Sequence, residues 1–130
     1  MTELKGRKIF GGTIECEALV TTQAISFFGG VNPDDGVVQE KGHELEGKSI
    51  SGKILVLPQG KGSTVGSYAI YRMKKQGTAP KALILKECEA IVAVGAIISE
   101  IPCVDKIDIS KIKTGQKVKV NGDNATVQLK

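Results

Sequence analysis

Residues 54–67 read Ile54-Leu55-Val56-Leu57-Pro58-Gln59-Gly60-Lys61-Gly62-Ser63-Thr64-Val65-Gly66-Ser67. The first four are apolar without interruption, the signature of a strand buried on both faces. The glycine-rich turn after them releases Ser63 and Thr64 at the start of a helical pattern over residues 63–76, which Gly77 closes. A second apolar run, Ala82-Leu83-Ile84-Leu85, follows. Strand, helix and strand at this spacing predict a βαβ unit with a parallel, right-handed connection. Backbone N–H groups in such a turn, backed by a helix N-terminus, favour an anion. A serine held there has surroundings that favour a negative oxygen.

Outward from this unit the patterning changes. Residues 8–20 read as one or two short strands joined at Gly11-Gly12, and residues 29–36 carry adjacent glycines, Asn-Pro and Asp-Gly as turn signals. Val37-Val38 and Ile50 suggest short strands around a loop containing Gly42-His43-Glu44. The apolar stretch 91–98 fits a short helix or a strand, and its period does not choose between them. Residues 101–104 look like a returning strand. The tail, with Val118, Val120, Val127 and Leu129 around Asn-Gly-Asp-Asn, predicts a β-hairpin. The whole reads as an α/β fold with one parallel βαβ unit and a C-terminal hairpin.

At 130 residues the chain is read as one domain, 1–130. Its five aromatic residues, none of them Trp, leave the core to Val, Ile, Leu and Ala. A net charge of +4 spread over scattered lysines argues for a solvated surface rather than a nucleic-acid groove. No apolar run approaches the ~20 residues of a membrane span. Cys16, Cys88 and Cys103 are odd in number and lack CxxC spacing, which predicts a reduced, cytoplasmic setting. They read as buried small hydrophobes, with convergence on a metal as the alternative.

The loop at 60–64 is not a Walker phosphate loop, because Gly62 separates Lys61 from Ser63 and the required earlier glycine is missing. It comes nearer the dinucleotide fingerprint through Gly60, Gly62 and Gly66, with Glu87 ending the next strand, but that fold needs further βα repeats. A plain strand-to-helix connection with Ser63 as N-cap is the structural alternative. His43, the only histidine, lies on a polar loop and reads as an acid, a base, a substrate contact or an exposed side chain. Asp34 and Asp35 fit a turn better than a carboxylate pair. Gly29 and Gly30 allow a close backbone approach to a ligand or simply a turn after Phe28.

Taken together, Ser26-Phe27-Phe28-Gly29-Gly30-Val31-Asn32-Pro33, Gly42-His43 and residues 54–67 resemble the small subunit of aconitase X-type enzymes. The resemblance continues through Gly77-Thr78-Ala79-Pro80-Lys81-Ala82, Gly95-Ala96-Ile97 and Ile101-Pro102, and so covers most of the chain. It implies a swivelling β/β/α domain equivalent to the mobile fourth domain of aconitase. It also implies a heterodimer whose large subunit holds a 4Fe-4S cluster through its own cysteines, with no metal held by this chain. The implied activity is that of a hydro-lyase, converting (R)-5-phosphomevalonate to trans-anhydromevalonate 5-phosphate and water in the archaeal mevalonate route.

In aconitase the swivelling domain carries a Gly-x-Gly-Ser-Ser-Arg loop whose first Ser is the catalytic base. Gly60, Gly62 and Ser63 match that pattern, Thr64 replaces the second Ser, and Val65 stands where the carboxylate-binding Arg would be. The resemblance therefore implies Ser63 as the base and a substrate other than a tricarboxylate, a small phosphorylated hydroxy acid. It places Gly29, Gly30, Asn32, His43, Lys61, Gly62 and Thr64 around that substrate. The other readings are a dehydratase subunit for a different hydroxy acid such as a hydroxyproline, a non-catalytic module that closes or regulates a partner enzyme, and a nucleotide-binding domain.

Overall fold

The computed structural model describes residues 2–130. Strand β4 (Ile54–Leu57) runs parallel to β5 (Ala82–Leu85), and helix α2 (Val65–Gln76) connects them, as the sequence predicts. Gly77 stops α2 in the left-handed conformation, at φ 78°, with its N–H on the Lys74 and Met73 carbonyls. The helix begins at Val65 rather than at residue 63, and its N-cap is Thr64, which makes no side-chain capping bond. The remaining elements are β1 (Thr2–Lys5), β2 (Arg7–Phe10), β3 (Thr13–Val20), a single kinked turn α1 (Phe27–Gly30), α3 (Ala90–Ser99), β6 (Cys103–Asp105), a 3-10 turn at Ile109–Lys111, β7 (Lys117–Asn121) and β8 (Thr126–Leu129).

The ambiguous stretch 91–98 is helical. Glu89 caps it, and Glu100 ends it in the left-handed conformation. Beyond it β6 pairs parallel to β5, so a second βαβ unit follows the first; the sequence reading counted only one. Val37, Val38 and Ile50 do not build strands. Val31–Val38 and Val37–Ser49 form isolated bridges within the long connection from β3 to β4. The C-terminal hairpin is present, with β7 antiparallel to β8.

The strand order is β1-β8-β7-β3-β4-β5-β6-β2. Within it β3 serves two neighbours: residues 13–17 pair antiparallel with β7, and residues 18–20 pair parallel with β4. The two ends of the order, β1 and β2, are consecutive in the chain with only Gly6 between them. The order therefore closes on itself through one kinked strand. Gly6 is required at that corner, because an added Cβ would lie 2.0 Å from the Asp105 carbonyl oxygen.

Three layers result, and the central parallel strands separate them by simple alternation. Leu55, Leu57, Leu83 and Leu85 pack against Ile70 and Met73 of α2, Val92 and Ala96 of α3, and Ile25, Phe27, Val38 and Leu45 of the long connection. Ile54, Val56, Ala82 and Ile84 face the other way, onto Val118, Val120, Val127 and Leu129 of the hairpin. This is a β/β/α arrangement. Burying each of these large aliphatic side chains contributes about 1.5–3 kcal/mol. Gly95 permits the close approach of the helices, since a Cβ there would meet Ile70 Cδ1 at 2.7 Å. Among the described residues no helix is long and apolar enough to cross a membrane.

Among the described residues one charged side chain is fully buried. Asp105, on β6, receives a forked contact from Arg7 of β2, Nε to Oδ1 at 2.9 Å and Nη2 to Oδ2 at 2.7 Å. The Cys88 N–H also donates to Oδ2, at 2.8 Å. The pair raises the Arg7 pKa further, chiefly through that hydrogen bond. Removing the guanidinium leaves a buried carboxylate with a single N–H donor. Arg7→Ala should therefore lower the urea midpoint relative to the parent, because the buried Asp105 carboxylate loses its forked partner. Urea unfolding followed by circular dichroism checks this.

Candidate functional site

Pro58 follows β4, and from there the chain crosses the C-terminal ends of the parallel strands. Gly60 forms a parallel bridge with Ile25. In that bridge the Ile25 N–H donates to the Gln59 carbonyl at 3.3 Å, and the Lys61 N–H donates to the Ile25 carbonyl at 2.9 Å. Gly62 takes a φ of +102°, and a Cβ on it would stand 2.9 Å from Ser26 Oγ. Both conditions favour glycine. Residues 61–65 are exposed. The Ser63 carbonyl accepts from the Gly66 N–H at 2.9 Å, and the Thr64 carbonyl accepts from the Ser67 N–H at 3.2 Å. The N–H groups of Gly62, Ser63 and Thr64 meet no protein acceptor among the described residues. The segment that carries the exposed Ser63 thus also carries three backbone donors without a protein acceptor, at a helix N-terminus without a side-chain cap.

The structure brings several of the other anticipated residues to this end of the sheet, although in different capacities. Gly29 and Gly30 follow Ser26, which touches the loop; the Gly30 carbonyl accepts from the Gln39 N–H at 2.9 Å, and the Gly29 carbonyl accepts from Gln39 Nε2 at 3.1 Å. Lys61 directs its ammonium to Glu40 Oε2, 2.8 Å away. Asn32 uses Oδ1 to accept from the Asp34 N–H at 2.9 Å, closing a turn, and Asp35 Oδ1 accepts likewise from Val37. The Asp35 carboxylate serves that turn, as its context predicts, whereas Asp34 gives the turn its N–H and its carboxylate lies 4.0 Å from Arg72 Nη2.

His43 is buried. Its Nδ1 accepts from the Leu45 N–H at 3.0 Å, and its Nε2 lies 3.1 Å from the Ala24 carbonyl, to which it must donate. Both ring nitrogens therefore hold backbone, pinning the 40s loop to the segment that carries Ser26. A groove of about 300 Å³ opens beside the first turn of α2, between Phe28, Gly29 and Gln39 on one side and Val65, Tyr68 and Arg72 on the other. Phe28 and Tyr68 are exposed despite their size.

Three residues at this end escape the sequence reading. Ser26 borders Gly62 and donates to the Phe28 carbonyl at 2.9 Å. Glu89 accepts from the Gly60 N–H at 3.0 Å while capping α3. Its signal is its place just ahead of the apolar run 91–98, legible only once that run is taken as a helix. Glu44 accepts from the Thr21 hydroxyl and the Thr22 N–H, just beyond the end of β3.

No group of three or more His, Cys, Asp or Glu side chains among the described residues is arranged to hold a metal ion. Cys16 donates to the Gly52 carbonyl at 3.2 Å. A hydrogen bond with the Cys88 thiol, and then burial, pushes the Cys103 thiol well above its ordinary value. Among the described residues the three cysteines are therefore not gathered into a ligand set for a cluster.

The bond from the Thr21 hydroxyl, followed by that from the Thr22 N–H, holds the Glu44 carboxyl below its usual range. Its folded value lies below its unfolded one, so the stability it brings is present above the unfolded value. That stability is lost as pH falls through the folded value. Glu44→Gln should be less stable than the parent at neutral pH. The gap should close as pH is lowered from about 5 to 3. Calorimetric Tm values across that interval check this.

A family model described as Aconitase X swivel domain matches residues 3–129. The phosphomevalonate dehydratase small subunit of Thermococcus kodakarensis is 56% identical over 127 residues, spanning 98% of this chain and 96% of that protein. The protein of the same name from Methanosarcina acetivorans is 54% identical over 130 residues, spanning 98% and 90%. Among solved structures, the holo-form crystal structure of Thermococcus kodakaraensis aconitase X superposes with a TM-score of 0.98 at 55% identity, covering 100% of this chain and 99% of that one. A solution NMR structure of a UPF0107 protein superposes with a TM-score of 0.90 at 47% identity, covering 99% of each chain. The chain belongs to the aconitase X swivel-domain family.

Proposed function

We propose that this chain is the small subunit of a phosphomevalonate dehydratase, acting with a large subunit that carries a 4Fe-4S cluster on its own residues. The reaction removes water from (R)-5-phosphomevalonate to give trans-anhydromevalonate 5-phosphate. The observation that carries the reading is the exposed Ser63 hydroxyl at the uncapped start of α2, beside three unengaged N–H groups. High identity to relatives named for this activity supports the substrate.

In this reading Ser63 Oγ, as the alkoxide, takes the proton from the carbon beside the substrate carboxylate. That electron pair becomes the new double bond as the C3 hydroxyl departs as hydroxide on the side of the large subunit; the hydroxide takes up a proton to leave as water, and Ser63 releases the proton it took, which restores the alkoxide. An ordinary serine is far too weak a base, so its surroundings must stabilise the oxyanion. The helix dipole contributes about 0.3–2 kcal/mol, which is insufficient alone. Lys61 adds less than its charge suggests, because Glu40 already holds its ammonium at 2.8 Å. The facing subunit supplies the rest.

Val65 in place of an arginine leaves the loop without a carboxylate clamp, in keeping with a substrate that is not a tricarboxylate. The free N–H groups of Gly62 and Thr64 are placed to meet an anionic oxygen, and the Gly29-Gly30 backbone borders the approach. In this reading His43 and Asn32 shape the adjoining loops rather than contact the substrate.

Co-expression with the large subunit and an anaerobic dehydration assay test the proposal. The pair should dehydrate 5-phosphomevalonate, and this chain alone should not. Ser63→Ala should assemble normally and lose about 10²–10⁴-fold in kcat, the usual contribution of a positioned base. Near-normal turnover by that variant overturns the assignment of the base. Dehydration of hydroxyproline in place of phosphomevalonate overturns the substrate.

A further inference from the structure

Glu89 stands at the N-cap of α3, where Ser, Thr, Asp or Asn is preferred and Glu is not. Its Oε2 carries out the capping, accepting from the Ile91 N–H at 3.1 Å and the Val92 N–H at 3.3 Å. Its Oε1 does something a cap does not require. It reaches the β4–α2 loop and accepts from the Gly60 N–H at 3.0 Å. One carboxylate thus joins the start of α3 to the loop that presents Ser63 three residues later.

The fit around this contact is close. A Cβ on Gly60 would lie 2.8 Å from Glu89 Oε1 and 2.5 Å from Val92 Cγ2. The residue before Glu89 is itself fixed, because the Cys88 N–H donates to the buried Asp105 carboxylate that Arg7 clamps. The carboxylate therefore sits on a rigid base, and its reach matters: aspartate would cap α3 but stop one methylene short of Gly60.

We infer that Glu89 is a positioning residue for the Ser63 loop. By drawing the Gly60 N–H inward, with the Lys61 N–H held by the Ile25 carbonyl, it fixes the turn so that the N–H groups of Gly62, Ser63 and Thr64 are left for a ligand. Its own charge is met by three N–H groups and is not spent on the serine. The inference rests on Ser63 as the proton acceptor.

Glu89→Asp separates the two tasks of the side chain. In the full small chain, amide hydrogen exchange followed by NMR should show Gly60 exposed while Ile91 and Val92 stay protected. In the assembled enzyme kcat should fall about 10–100-fold, as misplacing a reacting group by a fraction of an ångström does, with little change in KM. Gly60→Ala, which pushes the loop off an intact Glu89, should reproduce the kcat loss; it decides the matter if the aspartate also loosens α3.

A Gly60 amide that stays protected in Glu89→Asp overturns the anchoring role. A freed Gly60 amide with unchanged kcat, or a fully active Gly60→Ala, overturns the positioning role. An active Ser63→Ala overturns the base reading instead and leaves the exchange result to judge the anchor by itself.

Discussion

Two stretches of chain belong to both sheets at once, and the rest of the molecule is arranged around that constraint. β3 gives its first five residues to the antiparallel hairpin and its last three to the parallel sheet. β1 and β2 repeat the pattern on the opposite side, where the chain turns the corner at Gly6 between the Ala125 carbonyl, to which the Gly6 N–H donates at 2.8 Å, and the backbone of Asp105. Because covalent chain passes from layer to layer at both sides, the sheets cannot slide apart without breaking strand pairing. The shared core of Ile54, Val56, Ile84, Val118, Val120 and Val127 is thereby enclosed.

This frame fixes the ends of the parallel strands, and the functional loop is hung from those ends. A glycine-rich turn has little stiffness of its own, since its residues have no side chains to pack. Here the stiffness is borrowed. The Ile25 backbone holds one side of the turn, Glu89 holds it from behind, and Ser26 closes on Gly62. Ser67, one turn into α2, donates to the Ile91 carbonyl at 2.6 Å and ties the same helix start to α3. Neighbouring contacts thus surround an exposed hydroxyl with fixed backbone.

The parts legible in the sequence were those in which one contiguous run carries the whole signal. β4 and β5 are apolar at every position because both faces are buried, and the turn between β4 and α2 spells its geometry in glycines. Ser63 stood out for that reason. The stretch 91–98 stayed ambiguous because it is apolar nearly all round, so no period could separate helix from strand. What decides it is the carboxylate ahead of it. That ambiguity in turn hid the second βαβ unit and Glu89. His43 was read from its polar neighbours as accessible, whereas its ring is buried under bonds to two backbone groups distant from and near to it in sequence. The split loyalty of β3 left no trace in composition, because pairing partners are a property of the folded whole.

The bend at Gly6 also governs how copies of the molecule meet. A strand that pairs on only one side is a template on which a second chain can grow a sheet. β1 and β2 each have only four residues, they pair with different strands, β8 and β6, and the pairing of β2 is further interrupted by a register shift between Lys8 and Phe10. Glu3, Lys5, Arg7 and Lys8 set charge along this outer rim. One glycine that closes the sheets inside the molecule thereby denies a neighbouring molecule a long, straight edge for filament growth.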